Sequence, residues 1–168
     1  MTNKKGFTLI ELLVVIGIIG ILAAVVIAAV NPGRQFAEAR NTQRRADLYQ
    51  ITNGIYQFAA EHNGDLPDTD GVDTTSNFPA SATCIGATTG APANCFNLGE
   101  ATNAAGLEVI VPTYMAAMPM DPSVGSSGNT GYYIFLDATT GRITASAPRP
   151  TDTPAGGAEL NAVISITR

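Results

Sequence analysis

The sequence contains few of the residues from which catalytic and metal-binding sites are usually built. Its 168 residues include two cysteines, Cys84 and Cys95, and one histidine, His62. Two cysteines and a distant histidine do not complete the four-ligand set of a structural zinc site. The sequence also contains no HExxH, Walker P-loop, GxSxG or GxGxxG pattern. We therefore expect neither an enzyme nor a protein with a resident metal or cofactor.

Charge and polarity are almost absent from the stretch between Phe7 and Val30. Only Thr8 and Glu11 are clearly polar among these 24 residues. As an α-helix the stretch would be roughly 36 Å long, which is enough to cross a hydrocarbon core of about 30 Å with some tilt. We therefore predict a membrane-spanning helix over residues 7–30.

Composition alone leaves open whether this helix is retained or removed as a secretory signal. A cleaved signal has an apolar core of about 7–15 residues followed by small residues at the cleavage site. The apolar stretch here is longer, although Ala28 and Ala29 could serve a signal peptidase. The residues that precede the stretch favour retention.

The leader, residues 1–6, carries Lys4 and Lys5 and runs directly into the sequence GFTLIELLVVI, which begins at Gly6. This segment resembles the N-terminal signature of the type IV prepilins, the family of type IV pilins, competence pilins and the pseudopilins of type II secretion. The resemblance implies that a membrane prepilin peptidase cuts between Gly6 and Phe7. It also implies that the new N-terminus, Phe7, is then N-methylated.

Glu11 is the one charged residue of the apolar stretch. A carboxylate inside an apolar helix costs about 2.5–3.5 kcal/mol on insertion scales, so a compensating partner is expected. Cleavage after Gly6 would place an ammonium on Phe7, about one helical turn before Glu11. The resemblance assigns Glu11 to pairing with the N-terminal amine of a neighbouring subunit, which sets the register during assembly. The alternatives are that Glu11 reaches the headgroups or is protonated.

Glycine and proline mark places where the helix could loosen. Gly20 interrupts the apolar run, and Pro32 with Gly33 predicts a kink or short break where that run ends. By resemblance to the family, Gly20, Pro32 and Gly33 are the natural positions of helix flexibility in an assembled filament. The alternative is that the helix simply tolerates these residues and that they have no role in flexibility.

Residues 31–62 read as an amphipathic continuation of the helix. Apolar residues recur there at helical spacing, at Leu48, Ile51, Ile55 and Phe58. The neighbouring positions, which include Arg40 and Arg44, supply polar surface. We expect the apolar stripe to pack against the protein's own sheet.

Four arginines form a basic cluster on an otherwise acidic chain of net charge −5: Arg34, Arg40, Arg44 and Arg45. Nucleic acid is one candidate partner, because competence pilins handle DNA. Lipid headgroup contacts and ion pairs between subunits are the preferred interpretation, since Glu38 and Asp47 are interspersed and the membrane is close. We predict no specific nucleic-acid partner.

Residues 63–106 read as a variable loop region, because Gly, Ala, Thr, Asn and Pro replace periodic apolar residues. The flexible spacer between Cys84 and Cys95 can bring the two thiols together. A disulfide is the preferred interpretation, worth about 2–4 kcal/mol in an exported domain, and free thiols are the alternative.

A run of acidic residues in the same region has ligand chemistry that suits calcium. The run consists of Asp65, Asp68, Asp70 and Asp73. It lacks the EF-hand spacing, so a solvated turn after the helix is the preferred interpretation.

Residues 107–168 read as an antiparallel β-sheet domain. The predicted strands are Leu107–Val111, Tyr132–Leu136, Arg142–Ser146 and Leu160–Thr167. The sequence DATTG at 137–141 predicts a hairpin between the second and third strands. The fold class is therefore α+β. A long N-terminal helix would span the membrane with its first half and pack on a small sheet with its second, as in the ladle fold of pilins.

The resemblance implies a structural subunit of a type IV pilus-like filament, polymerised through its N-terminal helix. Before assembly the chain would be a single-pass protein of the cytoplasmic membrane with its N-terminus inside, an orientation taken from the resemblance and the cysteines. Expected partners are further pilin subunits, the prepilin peptidase, membrane lipid, and an inner-membrane assembly platform with its ATPase. The alternatives are a type II secretion pseudopilin, favoured by a loose resemblance over Met118–Pro122 and Tyr132–Tyr133, and a minor tip or adhesin pilin.

Overall fold

A computed structural model of the chain describes residues 6–70, 77–88, 91–103, 106, 108–150, 152, 156–160 and 162–168. The chain divides into two compact units, Met1–Ala37 and Glu38–Arg168. Four residues that the sequence analysis named, Lys4, Lys5, Asp73 and Leu107, lie outside the described residues.

The first unit is dominated by helix α1 (Leu9–Ala29), which has no buried residue. Its length and composition are those of a helix that can cross a membrane, and among the described residues it is the one helix with this property. The next helix, α2, spans Pro32–Glu61. Asn31 accepts a hydrogen bond from the Arg34 amide through Oδ1, at 3.3 Å. Asn31 and Pro32 thus form a favourable start for α2, because Asn caps helices well and proline suits the first helical position.

The second unit is built around the apolar stripe of α2. Leu48, Ile51, Ile55 and Phe58 are fully buried, and they belong to one core cluster with sheet residues such as Ile134. The helical spacing of these four residues therefore predicted the buried face of α2 correctly.

A four-stranded antiparallel sheet completes the second unit, in the order β1-β2-β3-β4. The strands are β1 (Thr83–Cys84), β2 (Tyr133–Asp137), β3 (Arg142–Ala147) and β4 (Ile164–Thr167). Gly141 closes the β2–β3 hairpin with φ 67°, a left-handed conformation that glycine adopts without steric cost. The α+β class and the β2–β3 hairpin predicted from the sequence are confirmed.

Two predicted strands were wrong in part. The predicted strand Leu107–Val111 is present only in part, because Val109 pairs antiparallel with Thr102 in an isolated bridge. Ile110–Thr113 then forms a short helical segment, α3, in which Val111 is extended, and Leu107 lies outside the described residues. The Ile110 amide donates a hydrogen bond to Ala101 O at 2.9 Å. The amides of Tyr114 and Met115 both donate to Ile110 O, so the chain turns there. The last strand begins at Ile164 rather than at Leu160.

The region expected to be a loop carries more structure than its composition suggested. It contributes the edge strand β1 and a 3₁₀ turn, Leu98–Glu100. Cys84, in β1, forms a disulfide with Cys95, as preferred from the sequence. The Phe96 amide then bonds Cys84 O at 2.8 Å, so the disulfide-closed loop folds back against β1.

Candidate processing and assembly site

The N-terminal segment of the first unit combines an exposed peptide with a tightly capped helix. Thr8 is the N-cap of α1, and Glu11 is its third helical residue. The Glu11 amide donates to Thr8 Oγ1 at 3.3 Å. In return, the Thr8 amide and hydroxyl both donate to Glu11 Oε2, at 2.8 and 2.6 Å. This is the capping box that a Thr-x-x-Glu sequence favours at a helix N-terminus.

The residues of the predicted cleavage site lie just outside this cap. Gly6 and Phe7 precede the helix and are exposed, and Phe7 retains 77% of its accessible surface. Apart from the two adjoining residues, no atom of the described residues lies within 4 Å of the position where a side chain on Gly6 would begin. Exposed, non-helical backbone is the kind of segment that proteases reach most easily. The arrangement therefore leaves the Gly6–Phe7 bond accessible while holding Glu11 in place.

The three predicted flexibility positions occupy different local settings. Gly20 lies inside α1, and apart from the backbone of α1 itself no atom of the described residues lies within 4 Å of the place where its side chain would begin. Pro32 is the first residue of α2, and Gly33 follows it. The interruption between Ala29 and Pro32 is observed, and flexibility at these positions stays a prediction.

A second cluster of functional groups, buried in the second unit, was not anticipated from the sequence. The Arg44 and Asp121 side chains are both completely buried and form a two-point ion pair. Nε donates to Oδ2 at 2.7 Å, and Nη2 donates to Oδ1 at 3.0 Å. Asn41 and Ser123 accept further hydrogen bonds from the same guanidinium. The assignment of Arg44 to polar surface and headgroup contact was therefore wrong.

The environment of Asp121 favours its charged form. Burial by itself would raise its pKa, but hydrogen bonds from Arg44 and from the Ser123 amide and hydroxyl outweigh that effect and lower the pKa below the usual range. A buried charge is tolerated only when it is paired and hydrogen-bonded in this way.

Glu159 is tied to the same face of α2 by side-chain and backbone contacts. Arg40 donates to both of its carboxylate oxygens at 2.6 Å. Asn41 donates to Glu159 O at 2.7 Å and accepts from the Glu159 amide at 3.0 Å. The hydrogen bond from Arg40 is the main reason that the pKa of Glu159 is lowered. Arg40 thus has an ion-pair partner within the chain, and its contact with headgroups or other subunits stays a prediction.

Tyr132 connects the start of β2 to the same helix. Its buried hydroxyl donates to Asp47 Oδ2 at 2.6 Å, and Gln43 donates to Asp47 Oδ1 at 2.7 Å. Burial raises the pKa of Tyr132, and the hydrogen bond to Asp47 raises it further. The sequence offered one indication of these contacts, since polar residues at 41, 44 and 47 repeat at helical spacing beside the apolar stripe.

The acidic run after α2 is described at Asp65, Asp68 and Asp70. Asp68 is buried and accepts a hydrogen bond from the Asp70 amide at 2.8 Å. Among the residues that the structure describes, no group of three or more His, Cys, Asp or Glu side chains is placed to hold a metal ion.

Comparisons with known proteins add to this geometry. Residues 1–27 match the family model of the prokaryotic N-terminal methylation motif. A 63-residue stretch is 44% identical to the type IV wide pilus major component PilA4 of Thermus thermophilus, and the match covers 33% of this chain. The chain spans about half the length of that relative, 48%. No solved structure matches the chain significantly.

The N-terminal segment thus matches the methylation motif and forms a capped apolar helix. The motif match and the match to the pilus component support a relationship to the type IV pilin and pseudopilin family, which the sequence resemblance suggested.

Proposed function

We propose that this protein is a structural subunit of a type IV pilus-like filament. In this proposal a prepilin peptidase cuts between Gly6 and Phe7, Phe7 is N-methylated, and the mature chains polymerise through α1. The observation that carries the proposal is α1 itself, which has 21 residues and none buried. Apolar surface on that scale is driven out of water. Lipid would cover it before assembly, and the α1 helices of other subunits would cover it afterwards.

The capping box supports a specific role for Glu11 in assembly. Both bonds that its carboxylate accepts from Thr8 end on Oε2. Among the described residues, Glu11 Oε1 has no hydrogen-bond partner. One oxygen thus holds the carboxylate over the first turn of α1, while the other can receive a cation. We assign that cation to the Phe7 ammonium of a neighbouring subunit, where exclusion of water strengthens the pairing.

The second unit supplies the part of the subunit that would remain outside the membrane. A disulfide such as Cys84–Cys95 persists in an oxidising compartment, which favours an orientation with the N-terminus inside and the second unit outside. The proposal needs no chemical turnover from this chain. Extension would be driven by an assembly platform and its ATPase, which act as separate partners.

The test is intact-mass and N-terminal analysis of sheared surface filaments beside the membrane fraction. Wild-type filaments should contain a chain that begins at methylated Phe7. An intact Met1 start, or a start near Ala28, would contradict the proposal, because the chain would then be a membrane anchor or a secreted domain.

The same measurement on Glu11→Gln tests the assembly role without disturbing the helix. Glutamine preserves the capping box but removes the charge, so processing should continue while filament incorporation falls by about tenfold or more. Glu100→Gln is the matched control, since it neutralises an exposed carboxylate in the second unit. Normal filaments from Glu11→Gln would exclude the pairing role.

A further inference from the structure

His62, the only histidine of the chain, has an oxygen acceptor at each of its two ring nitrogens. Nδ1 lies 2.8 Å from Phe58 O, and Nε2 lies 3.1 Å from Glu108 Oε2. A backbone carbonyl can only accept a hydrogen bond, so Nδ1 carries a hydrogen. A neutral imidazole has one hydrogen for its two nitrogens, and only the charged form donates from both. A hydrogen bond to an ionised Glu108 therefore requires the imidazolium.

The surroundings of His62 can accommodate that positive charge. His62 directly follows Glu61, the last residue of α2, where the exposed carbonyl groups of a helix end attract a cation. Its ring stacks on Phe58 with the ring centroids 4.1 Å apart, and the face of an aromatic ring attracts positive charge. The His62 side chain is 17% exposed, so its contacts are partly shielded while protons can still exchange with water.

Nε2 of His62 also faces a hydrogen-bond donor. Asn103 Nδ2 lies 3.4 Å from it. The orientation of this amide group is set by its oxygen, because Asn103 Oδ1 accepts from the Glu108 amide at 3.4 Å. A bare Nε2 accepts from Asn103, whereas a protonated Nε2 donates to Glu108. The proton on Nε2 therefore decides which of the two residues His62 binds.

Asn103 and Glu108 are the two ends of one turn. The Asn103 amide donates to Glu108 O at 3.1 Å, and the Gly106 amide donates to Asn103 O at 2.8 Å. We call Asn103, Gly106 and Glu108 the 103–108 turn. A change of partner at His62 Nε2 releases one end of this turn and holds the other. The turn should therefore shift against the end of α2 when His62 gains or loses a proton.

The other ionisable groups near His62 keep one charge state around neutral pH. The Tyr114 hydroxyl lies 2.7 Å from Glu61 Oε2 and 3.1 Å from Glu108 Oε2. Its hydrogen bond to Glu61 is the main reason that the pKa of Tyr114 is raised, so the hydroxyl keeps its single hydrogen. The nearest acid along the chain, Asp65, contacts His62 through its amide, which donates to His62 O at 3.0 Å. Carboxylates are ordinarily ionised and phenols neutral between pH 5 and 8.

We propose that His62 is a proton-operated switch for the 103–108 turn. At about pH 5 the charged ring binds the Glu108 carboxylate and holds the turn by that end. At about pH 8 the neutral ring keeps its hydrogen on Nδ1, accepts from Asn103, and releases Glu108 to solvent. Histidine suits this role because its charge ordinarily changes within that range. The inference concerns the second unit alone and does not depend on the proposed filament function.

The test is an NMR titration of the full-length chain in detergent micelles between pH 5 and 8. The protein carries ¹⁵N-labelled histidine and no histidine tag, so both ring signals belong to His62. Both ring nitrogens should be protonated at the acidic end, and Nδ1 alone at the basic end. The backbone amides of Asn103, Gly106 and Glu108 should shift with the same midpoint as the ring. A neutral ring that keeps its hydrogen on Nε2 would overturn the proposal.

Two variants test whether the ring drives the turn. His62→Gln removes the titrating group, so the pH-dependent shift of the Gly106 amide should be lost. Glu108→Gln keeps the shape of the side chain, and its amide can accept from a protonated Nε2 or donate to a bare one. In this variant the ring should still titrate while the Gly106 amide loses most of its shift. Glu38→Gln is the matched control, since it neutralises an exposed carboxylate in the first part of α2, and it should respond like the wild type.

Two further outcomes would overturn the switch. One is a Gly106 shift that persists in His62→Gln, and the other is a wild-type ring that titrates while the turn amides stay unchanged. The amides of the β2–β3 hairpin should be the same in every variant, which shows that the second unit is folded. The measurement requires no filaments, so its failure would leave the proposed function standing.

Discussion

The two units of the chain place their polar and apolar residues in opposite ways. In the first unit, α1 exposes an almost wholly apolar surface and buries none of its residues. In the second unit, a fully buried ion pair, Arg44–Asp121, lies beside the apolar core of α2 and the sheet. The first unit therefore depends on its surroundings for burial, whereas the second closes its own core. The difference suggests where substitutions should act on stability and where they should act on assembly.

The largest expected effect on stability comes from breaking the buried ion pair. Arg44→Ala leaves Asp121 buried without its cation, which typically costs about 3–5 kcal/mol. The free energy of unfolding, measured by urea denaturation of the detergent-solubilised protein, should fall by that amount. The unfolding signal should come from the second unit, since α1 contributes no buried residue.

A double variant checks that the loss comes from an unpaired charge. Arg44→Met with Asp121→Asn removes both charges. Asparagine has nearly the size and shape of the aspartate side chain, which matters because Gly157 lies close to the Asp121 carboxylate. The double variant should be clearly more stable than Arg44→Ala. If both variants lost the same free energy, simple loss of packing would explain the result, and the contrast between the two units would weaken.

Local sequence patterns predicted the parts of the fold that depend on local contacts. The spacing of Leu48, Ile51 and Ile55 gave the buried face of α2, and the turn sequence before Gly141 gave the β2–β3 hairpin. The Thr-x-x-Glu sequence at Thr8 and Glu11 contains the information for the capping box. Each of these features involves residues only a few positions apart, so one window of sequence determines it.

Contacts between distant residues could not be read in the same way. Arg44 and Asp121 are 77 positions apart, and Arg40 and Glu159 are 119 apart. The pattern around Arg44 is equally typical of an exposed basic helix face, which explains why the sequence was misread there.

An intermediate effect is expected from opening the disulfide. Replacing Cys84 and Cys95 together by serine should lower the free energy of unfolding by about 2–4 kcal/mol, because the unfolded chain regains the freedom that the closed loop restricts. Urea denaturation of the variant is the measurement, and reduced wild-type protein is the control. The two should unfold at the same midpoint. A midpoint equal to that of the oxidised wild type would show that the fold of this loop is held by contacts such as Phe96 against β1.

The smallest effect on stability is expected at the N-cap of α1. It is also the sharpest test of the difference between the two units. Thr8→Ala removes the hydroxyl that caps the Glu11 amide, which costs about 0.5–2 kcal/mol of local helix stability. Amide hydrogen exchange in micelles should therefore accelerate in the first turn of α1. Thr8→Ser retains the hydroxyl and should exchange at the wild-type rate.

The same variant also separates local from global stability. Thr8 belongs to the first unit and contributes nothing to the core cluster of the second, so the urea midpoint of Thr8→Ala should equal that of the wild type. A lowered midpoint would mean that the first turn of α1 stabilises the second unit. In that case the capping residues would also affect the stability of the second unit. The assembly defect expected of Glu11→Gln could then no longer be assigned to the lost charge alone.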